Sequence, residues 1–234
     1  MTDTNVDHLR AMSPDECYDR LENDPKKSLP EDIGGHNMLR GDARVRIYRE
    51  LIPFDPQAIA DIGCGIGLTT AACKRAFPTA HVFGCDASES AIAYAKKTDT
   101  LDINYQALTI GAELKLPTPF DVMIFQEFYP FTRTSDFALH REFLDFIRTN
   151  LRSGGVALIQ LAIRHPEITI LANLPALKAY CHENGLALTQ HIIPYDRLID
   201  MTGSYWLSSL LTPVLSFIKK ADKRIVLMLT RKTG

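Results

Sequence analysis

Short β-rich runs alternate with segments of helical pattern from about residue 57 onward, and this alternation constrains the fold more than any other feature of the sequence. Seven such runs are bounded by turn residues, at 57–62, 81–86, 103–108, 121–126, 156–163, 186–193 and 224–230. Strands that alternate with helices form a mostly parallel sheet with helices on both faces. We therefore expect an α/β, doubly wound sheet of seven strands.

The segments between the runs predict where helices begin and end. Ser88 and Ser135 are the expected N-caps of two crossover helices, and SGG at 153–155 is expected to end the second of them. Before the first run, residues 36–51 are expected to form a helix, and SPDE at 13–16 reads as a capping box. These patterns predict an N-terminal cap segment (1–50) and a main domain (51–234) with a helical insertion at 194–222.

Charge and cysteine content exclude several classes of protein. The formal net charge is -2, and no run of Lys or Arg is longer than the pairs at 26–27, 96–97 and 219–220, so the electrostatic footprint of a nucleic-acid binder is missing. The five cysteines form no CxxC pair and no zinc-ligand spacing, which predicts no metal site and a reduced cytoplasm. The apolar segment at 205–218 is too short and too interrupted to span a bilayer.

The stretch DIGCGIGLTT, residues 61–70, follows the first run directly. A helix that begins after a glycine loop offers free N–H groups and a partial positive charge, which favours an anionic ligand. A Walker loop is excluded because no Lys follows Gly67. The spacing GxGxG also differs from the GxGxxG of the dinucleotide fingerprint, which counts against an NAD(P)-dependent oxidoreductase.

Two acidic residues refine this interpretation. Asp61 stands two residues before the first glycine, where it would repel a pyrophosphate and suits a ligand with a cationic end. Asp86 ends the second run, where a carboxylate can accept hydrogen bonds from both hydroxyls of a ribose. Because the carboxyl ends of parallel strands meet at one edge of the sheet, the two residues together predict an adenosine-like ligand whose far end is cationic.

Four segments in order carry a resemblance to a known family: ADIGCGIGLTT, VFGCDAS, PFDVMIFQEFYPF and LRSGGVALI. With them the sequence resembles the class I S-adenosylmethionine-dependent methyltransferases over roughly residues 40–234. The resemblance implies a Rossmann-like sheet with an antiparallel last strand, and S-adenosyl-L-methionine as the cofactor.

The resemblance also implies which residues hold the cofactor. The glycine loop with Asp61 cradles the methionine portion, Asp86 holds the ribose, and Gln126 or Glu127 lies beside the methionine end. Where the family often has an Asp for the adenine amine, this chain offers Leu108 or Thr109. The full set of expected cofactor-binding residues is Asp61, Gly63, Cys64, Gly65, Asp86, Ala87, Thr109, Gln126, Arg40 and Tyr18.

Each of these residues also has a purely structural alternative. The glycines serve equally as a tight strand-to-helix turn, Asp86 as a helix cap, and Cys64 as a small buried thiol. Arg40 and Tyr18 belong to the N-terminal segment, which in related enzymes folds over the cofactor, and their alternative is that of solvated helix residues.

The chemistry of methyl transfer requires alignment, with a general base where the nucleophile carries a proton. The candidate bases follow two strands at the cofactor edge: Glu127, Tyr129 and His165. A structural or cofactor-contacting acid is the alternative for Glu127, and a helix start before Pro166 is the alternative for His165. The residues expected to line the acceptor pocket are Tyr129, Tyr195, Tyr205 and Trp206.

The apolar insertion that carries Tyr205 and Trp206 has three interpretations. It packs as a lid, it pairs two subunits into a homodimer, or it docks at an interface to a lipid substrate, since Lys219 and Lys220 follow it.

The function expected from the sequence is S-adenosylmethionine-dependent methylation of a small molecule, at oxygen or nitrogen of a sugar, peptide or natural-product intermediate. Methylation of adenine in nucleic acid is disfavoured because QEFY replaces the Asn/Asp-Pro-Pro-aromatic signature after the fourth run. A methyltransferase-like binding protein without catalysis and an NAD(P)-dependent oxidoreductase are the alternatives.

Overall fold

A computed structural model describes residues 30–111, 113–163, 166, 169–194, 196–219 and 223–233. Four sequence predictions therefore lie outside the described residues: the capping box at 13–16, Tyr18, His165 and Tyr195. Within the described residues, no helix combines the length and the apolar character that a membrane crossing requires.

The seven predicted strands form one sheet, with ends that differ from the prediction by a few residues. Their bounds are β1 Ala58–Ile62, β2 His81–Asp86, β3 Asn104–Ala107, β4 Phe120–Gln126, β5 Leu151–Ile163, β6 Leu186–Ile193 and β7 Lys223–Arg231. The order across the sheet is β3-β2-β1-β4-β5-β7-β6. Strands β1 to β5 pair in parallel, whereas β7 pairs antiparallel with both β5 and β6. The expected doubly wound sheet with an antiparallel last strand is confirmed.

Helices connect the strands on both faces. In chain order they are α1 Pro30–Leu51, α2 Leu68–Ala76, α3 Glu89–Thr98, α4 Tyr129–Thr132, α5 Phe137–Asn150, α6 Leu174–Glu183, α7 Asp196–Thr202 and α8 Tyr205–Lys219. A 3-10 turn at Ile170–Asn173 precedes α6. Helix α1 includes the helix predicted at 36–51 and begins earlier, while α7 and α8 occupy the predicted insertion.

The ends of α5 correct two predictions. The N-cap is Asp136 and not Ser135, because the Asp136 carboxylate accepts hydrogen bonds from the N–H groups of Ala138 and Leu139. The helix ends at Asn150 and β5 begins at once, so the SGG residues at 153–155 lie inside β5. They accompany a shift in the β4–β5 register, between the pair Phe120–Leu151 and the pair Val122–Val156.

Alternate residues of the strands build two cores on the two faces of the sheet. One face, with Ala60, Met123 and Phe125, packs against α5 and α6. The other face, with Ile59 and Ile124, packs against α1, α2 and α3. The second core includes four fully buried residues of α1 (Ala43, Val45, Ile47 and Tyr48), so the C-terminal half of α1 belongs to the main body.

Candidate cofactor site

The glycine loop between β1 and α2 is held in a shape that excludes side chains at two positions. Gly63 has a φ of 74°, and a Cβ there would lie 2.7 Å from the Phe128 ring. Gly67 has a φ of 81°, and a Cβ there would lie 2.5 Å from the Tyr105 hydroxyl. Both positions therefore require glycine on grounds of backbone angle and of space. The Gly63 N–H donates to the Cys85 carbonyl at 2.8 Å, which ties the loop to β2.

Asp86 at the end of β2 fixes the middle of the same loop. One carboxylate oxygen accepts a hydrogen bond from the Gly65 N–H at 2.8 Å, and the other accepts one from the Ser88 N–H at 2.9 Å. The N-cap of α3 is Ser88, as predicted, since its hydroxyl accepts from the Ala91 N–H. Asp86 is therefore not that cap, and a carboxylate with about four acceptor positions keeps capacity for a ligand.

Asp61 is almost completely buried, with 1% of its surface exposed. The Thr70 hydroxyl donates a hydrogen bond to its carboxylate at 2.7 Å. Burial raises the pKa of Asp61 from 3.8 to about 6, and the Asp86 charge adds to the rise, whereas the Thr70 hydrogen bond and the Arg44 charge oppose it. A cation beside this carboxylate would lower its pKa again, because it favours the charged form.

Polar side chains continue across the strand ends on the face that packs against α1 and α2. The Thr69 hydroxyl donates to Gln126 Oε1 at 2.7 Å, and the Tyr48 hydroxyl donates to Gln160 Oε1 at 2.5 Å. Gln126 and Gln160 are register partners on β4 and β5. With the Thr70–Asp61 bond, Asp61, Gln126 and Gln160 each accept a hydrogen bond from a hydroxyl group on a helix.

Sequence reasoning missed the four partners of this row. Thr69 and Thr70 stand directly after the glycine loop, where a pair of hydroxyls at the start of an apolar helix was the available signal. Gln160 is the single polar residue in the apolar run 156–163, and an isolated polar residue in a buried strand needs a partner. No local pattern indicates Tyr48, because its contact spans 112 residues.

A cavity of about 210 Å³ opens between the glycine loop, the end of β4 and α1. It is lined by loop residues 63–66 with Asp61, Leu68, Thr69, Gln126 and Arg44. The structure thus brings together the predicted residues Asp61, Gly63, Cys64, Gly65 and Gln126. Arg44, which was not predicted, lies one turn after the predicted Arg40 on α1.

The other described candidates do not line this cavity. Ala87 and Thr109 are exposed residues that follow β2 and β3, on the same edge of the sheet. Glu127 directly follows β4 and has a φ of 49°, an uncommon angle for a residue other than glycine. Tyr129 is exposed in α4, and Tyr205 and Trp206 begin α8 with their rings 5.9 Å apart.

The cysteines near the glycine loop are free thiols that show no sign of reactivity. The described cysteines are all free, and burial raises the pKa of the Cys64 and Cys85 thiols, that of Cys85 to about 12. Such thiols are protonated and unreactive at neutral pH. Among the described residues, no group of three or more His, Cys, Asp or Glu side chains could hold a metal ion.

Residues 59–155, which include the glycine loop and both carboxylates, match the family model described as a methyltransferase domain. The match identifies these residues as a methyltransferase domain, and the strand order is that of the class I S-adenosylmethionine-dependent methyltransferase fold. S-adenosylmethionine is the cofactor of this domain. None of the curated proteins is similar enough in sequence to count as a relative of this methyltransferase.

Solved methyltransferase structures share the fold at low sequence identity. The plantazolicin methyltransferase BpumL, in complex with a pentazolic desmethylPZN analogue and SAH, is 15% identical with a TM-score of 0.58, and the match covers 93% of this chain and 95% of that one. Phosphoethanolamine N-methyltransferase 2 of Haemonchus contortus is 16% identical with a TM-score of 0.58, covering 96% of this chain and 61% of that one.

A third structure extends the range of chemistry among these neighbours. The geranyl diphosphate C-methyltransferase of Streptomyces coelicolor A3(2) is 14% identical with a TM-score of 0.54, and the match covers 81% of this chain and 80% of that one. At such identities the likeness is one of fold.

Proposed function

We propose that this methyltransferase transfers the methyl group of S-adenosylmethionine to oxygen or nitrogen of a small molecule by in-line displacement. The observation that carries the proposal is the pair of carboxylates on the ends of adjacent strands: Asp61 lines the cavity, and Asp86 accepts a hydrogen bond from Gly65 of the loop that lines it. Similar structures were solved with phosphomonomethylethanolamine or geranyl diphosphate, which supports a small acceptor here. We place this activity in the cytoplasm, and a nucleic acid is not among the proposed acceptors.

Asp61 and Asp86 bind opposite ends of the cofactor in this proposal. Asp61 faces the cationic end, because a buried carboxylate with a raised pKa gains most from a cation. Asp86 accepts hydrogen bonds from the ribose hydroxyls, and its two bonds to backbone N–H groups hold it ready for them. The loop with Gly63, Cys64 and Gly65 lies along the methionine portion.

Arg44 and the residues after β2 and β3 complete the proposed cofactor site. Arg44 lines the cavity and already acts electrostatically on Asp61, so we assign it the methionine carboxylate. Arg40 and Tyr18 remain proposed contacts from the N-terminal cap segment 1–50. Ala87 and Thr109 remain proposed contacts on the ribose and adenine side.

Glu127 is the first candidate for the general base. It directly follows β4, its N–H donates to the Gln160 carbonyl at 3.1 Å, and its positive φ is a backbone strain of the kind that collects at functional sites. Tyr129 and His165 are the other candidates. Tyr129, Tyr195, Tyr205 and Trp206 form the proposed acceptor pocket, with the 194–222 insertion as its lid.

Two variants separate the candidate bases. The variants are Glu127→Gln and His165→Ala. The one that removes the general base should lower turnover about a hundredfold or more, since general bases typically contribute that much. Its affinity for the cofactor should change little. Turnover is measured with radiolabelled S-adenosylmethionine and a panel of small acceptors, and affinity by calorimetry. If neither variant slows transfer, the reaction uses no base at these positions. If no acceptor is methylated, the small-molecule proposal fails.

A further inference from the structure

Exposed apolar side chains are confined to one edge of the molecule. In the described part of the chain, the large hydrophobic residues that are exposed all lie at or after the carboxyl end of β4 or β6. They are Tyr129, Ile192, Met201, Trp206, Leu207, Leu210, Leu211 and Val214, and we call them the apolar rim. The cavity opens at the same edge of the sheet, because strand ends line it.

Helix α8, which carries most of the rim, is reversed relative to an ordinary surface helix. It buries Ser208 and Thr212, which are 0% and 8% exposed, while Trp206 and Leu210 are 73% and 74% exposed. The Ser208 hydroxyl lies 2.6 Å from the Thr202 hydroxyl of α7, and the Thr212 hydroxyl donates to the Ser208 carbonyl, so the buried residues of the 206–214 segment are polar and hydrogen-bonded. A surface helix normally turns its apolar stripe to the core.

Within residues 206–214, this reversal leaves the large apolar side chains of α8 exposed and outside the chain's own core. An exposed apolar patch of this kind marks a surface that another molecule or a membrane covers. The exposed apolar side chains alone do not distinguish a second copy of the chain from a membrane, so the charge of the adjoining sequence decides between them.

Charge along the sequence favours a membrane. Residues 201–218 contain no charged side chain, and the next six, KKADKR at 219–224, contain four cations and one acid. A helix with Trp and Leu on its apolar face, adjoined by Lys and Arg, is typical of segments that lie in the interface of an anionic bilayer.

We propose that the apolar rim docks on an anionic lipid surface, with the exposed apolar residues of α8 in the interface. Docking would present the cavity edge to acceptors dissolved in the membrane. Lipid binding requires no methyl transfer, so this proposal and the proposed function are tested separately.

Trp206 makes the test direct, because it is the only tryptophan of the chain. Its fluorescence is recorded with vesicles of phosphatidylcholine mixed with phosphatidylglycerol, and with vesicles of phosphatidylcholine alone. We expect a blue shift and co-sedimentation with the anionic vesicles, both weakened by salt. Equal binding to both vesicles overturns the choice of an anionic surface. If the protein binds neither kind of vesicle, the proposal is overturned. A blue shift that depends on protein concentration in the absence of vesicles also overturns it, because it would indicate that a second copy covers the rim.

A matched pair of variants locates the contact. Leu210→Gln with Val214→Gln keeps Trp206 and changes two exposed residues of α8, and we expect at least tenfold weaker vesicle binding. The control, Ala176→Gln with Ala179→Gln, changes two exposed residues of α6 at a similar spacing and is expected to bind as the unchanged protein does. If both double variants lose vesicle binding equally, or if neither loses it, docking through α8 is contradicted.

Discussion

Two regions at the carboxyl edge of the sheet differ in which polar and apolar side chains are buried and which are exposed. Around β1, β2 and β4, the polar groups Asp61 and Gln126 point inward and receive hydroxyl hydrogen bonds, and glycines lie against aromatic rings. Around α7 and α8, Ser208 and Thr212 also point inward, yet large apolar side chains face solvent. In the first region, the polar groups are already hydrogen-bonded within the chain. In the second region, apolar side chains remain exposed and form a surface that a partner would cover.

Glycine substitutions give the largest expected contrast between the two regions. Gly63→Ala places a Cβ 2.7 Å from the Phe128 ring at a φ of 74°, so we expect a loss of about 3 kcal/mol from strain and overpacking together. Gly203→Ala, between α7 and α8, has a similar φ of 65° and meets nothing within 4 Å. We expect it to cost about 1 kcal/mol from backbone strain alone. Urea unfolding measures both, and equal losses would contradict the close packing inferred at Gly63.

Removing the Asp86 carboxylate tests whether the region around β1, β2 and β4 binds the cofactor. We expect Asp86→Ala to weaken S-adenosylmethionine binding at least about tenfold, since two hydroxyl contacts of modest energy exceed the 1.4 kcal/mol of a factor of ten. Asp99→Ala is a matched control, because the Asp99 carboxylate also accepts from two backbone N–H groups, but these belong to Leu101 and Ile103 and not to the glycine loop. The affinities are measured by calorimetry. If the two variants bind S-adenosylmethionine equally weakly, Asp86 does not bind the ribose.

The exposed region predicts the smallest effect on stability. Leu210→Gln changes a side chain that is 74% exposed, so the free energy of unfolding should stay within about 0.5 kcal/mol of the unchanged protein. Leu198→Gln on the neighbouring α7 changes a side chain that is 7% exposed and should cost more than about 2 kcal/mol. Thermal or urea unfolding compares them. A large loss for Leu210→Gln would show that the stripe packs on the body.

The same contrast explains how far the sequence could predict the molecule. The β-rich runs, the GxGxG loop and Asp86 lie in local patterns, so the strands and the centre of the site were predictable. Tyr48 and Gln160 meet through a contact that spans 112 residues, and Arg44 reaches the site through the rotation of α1, so no local pattern encodes these positions. The periodicity of α8 predicted an apolar face, and it could not say that this face points outward.

The most direct test of the central account is the pH dependence of S-adenosylmethionine affinity. Burial raises the pKa of Asp61 to about 6, and a cationic ligand end requires the carboxylate. Binding then releases a proton below pH 6, so affinity should fall about tenfold from pH 7 to pH 5. In Asp61→Asn the affinity should be weaker at pH 7 and should lose this dependence. The same pH dependence in both proteins would contradict the claim that Asp61 meets the cationic end of the cofactor.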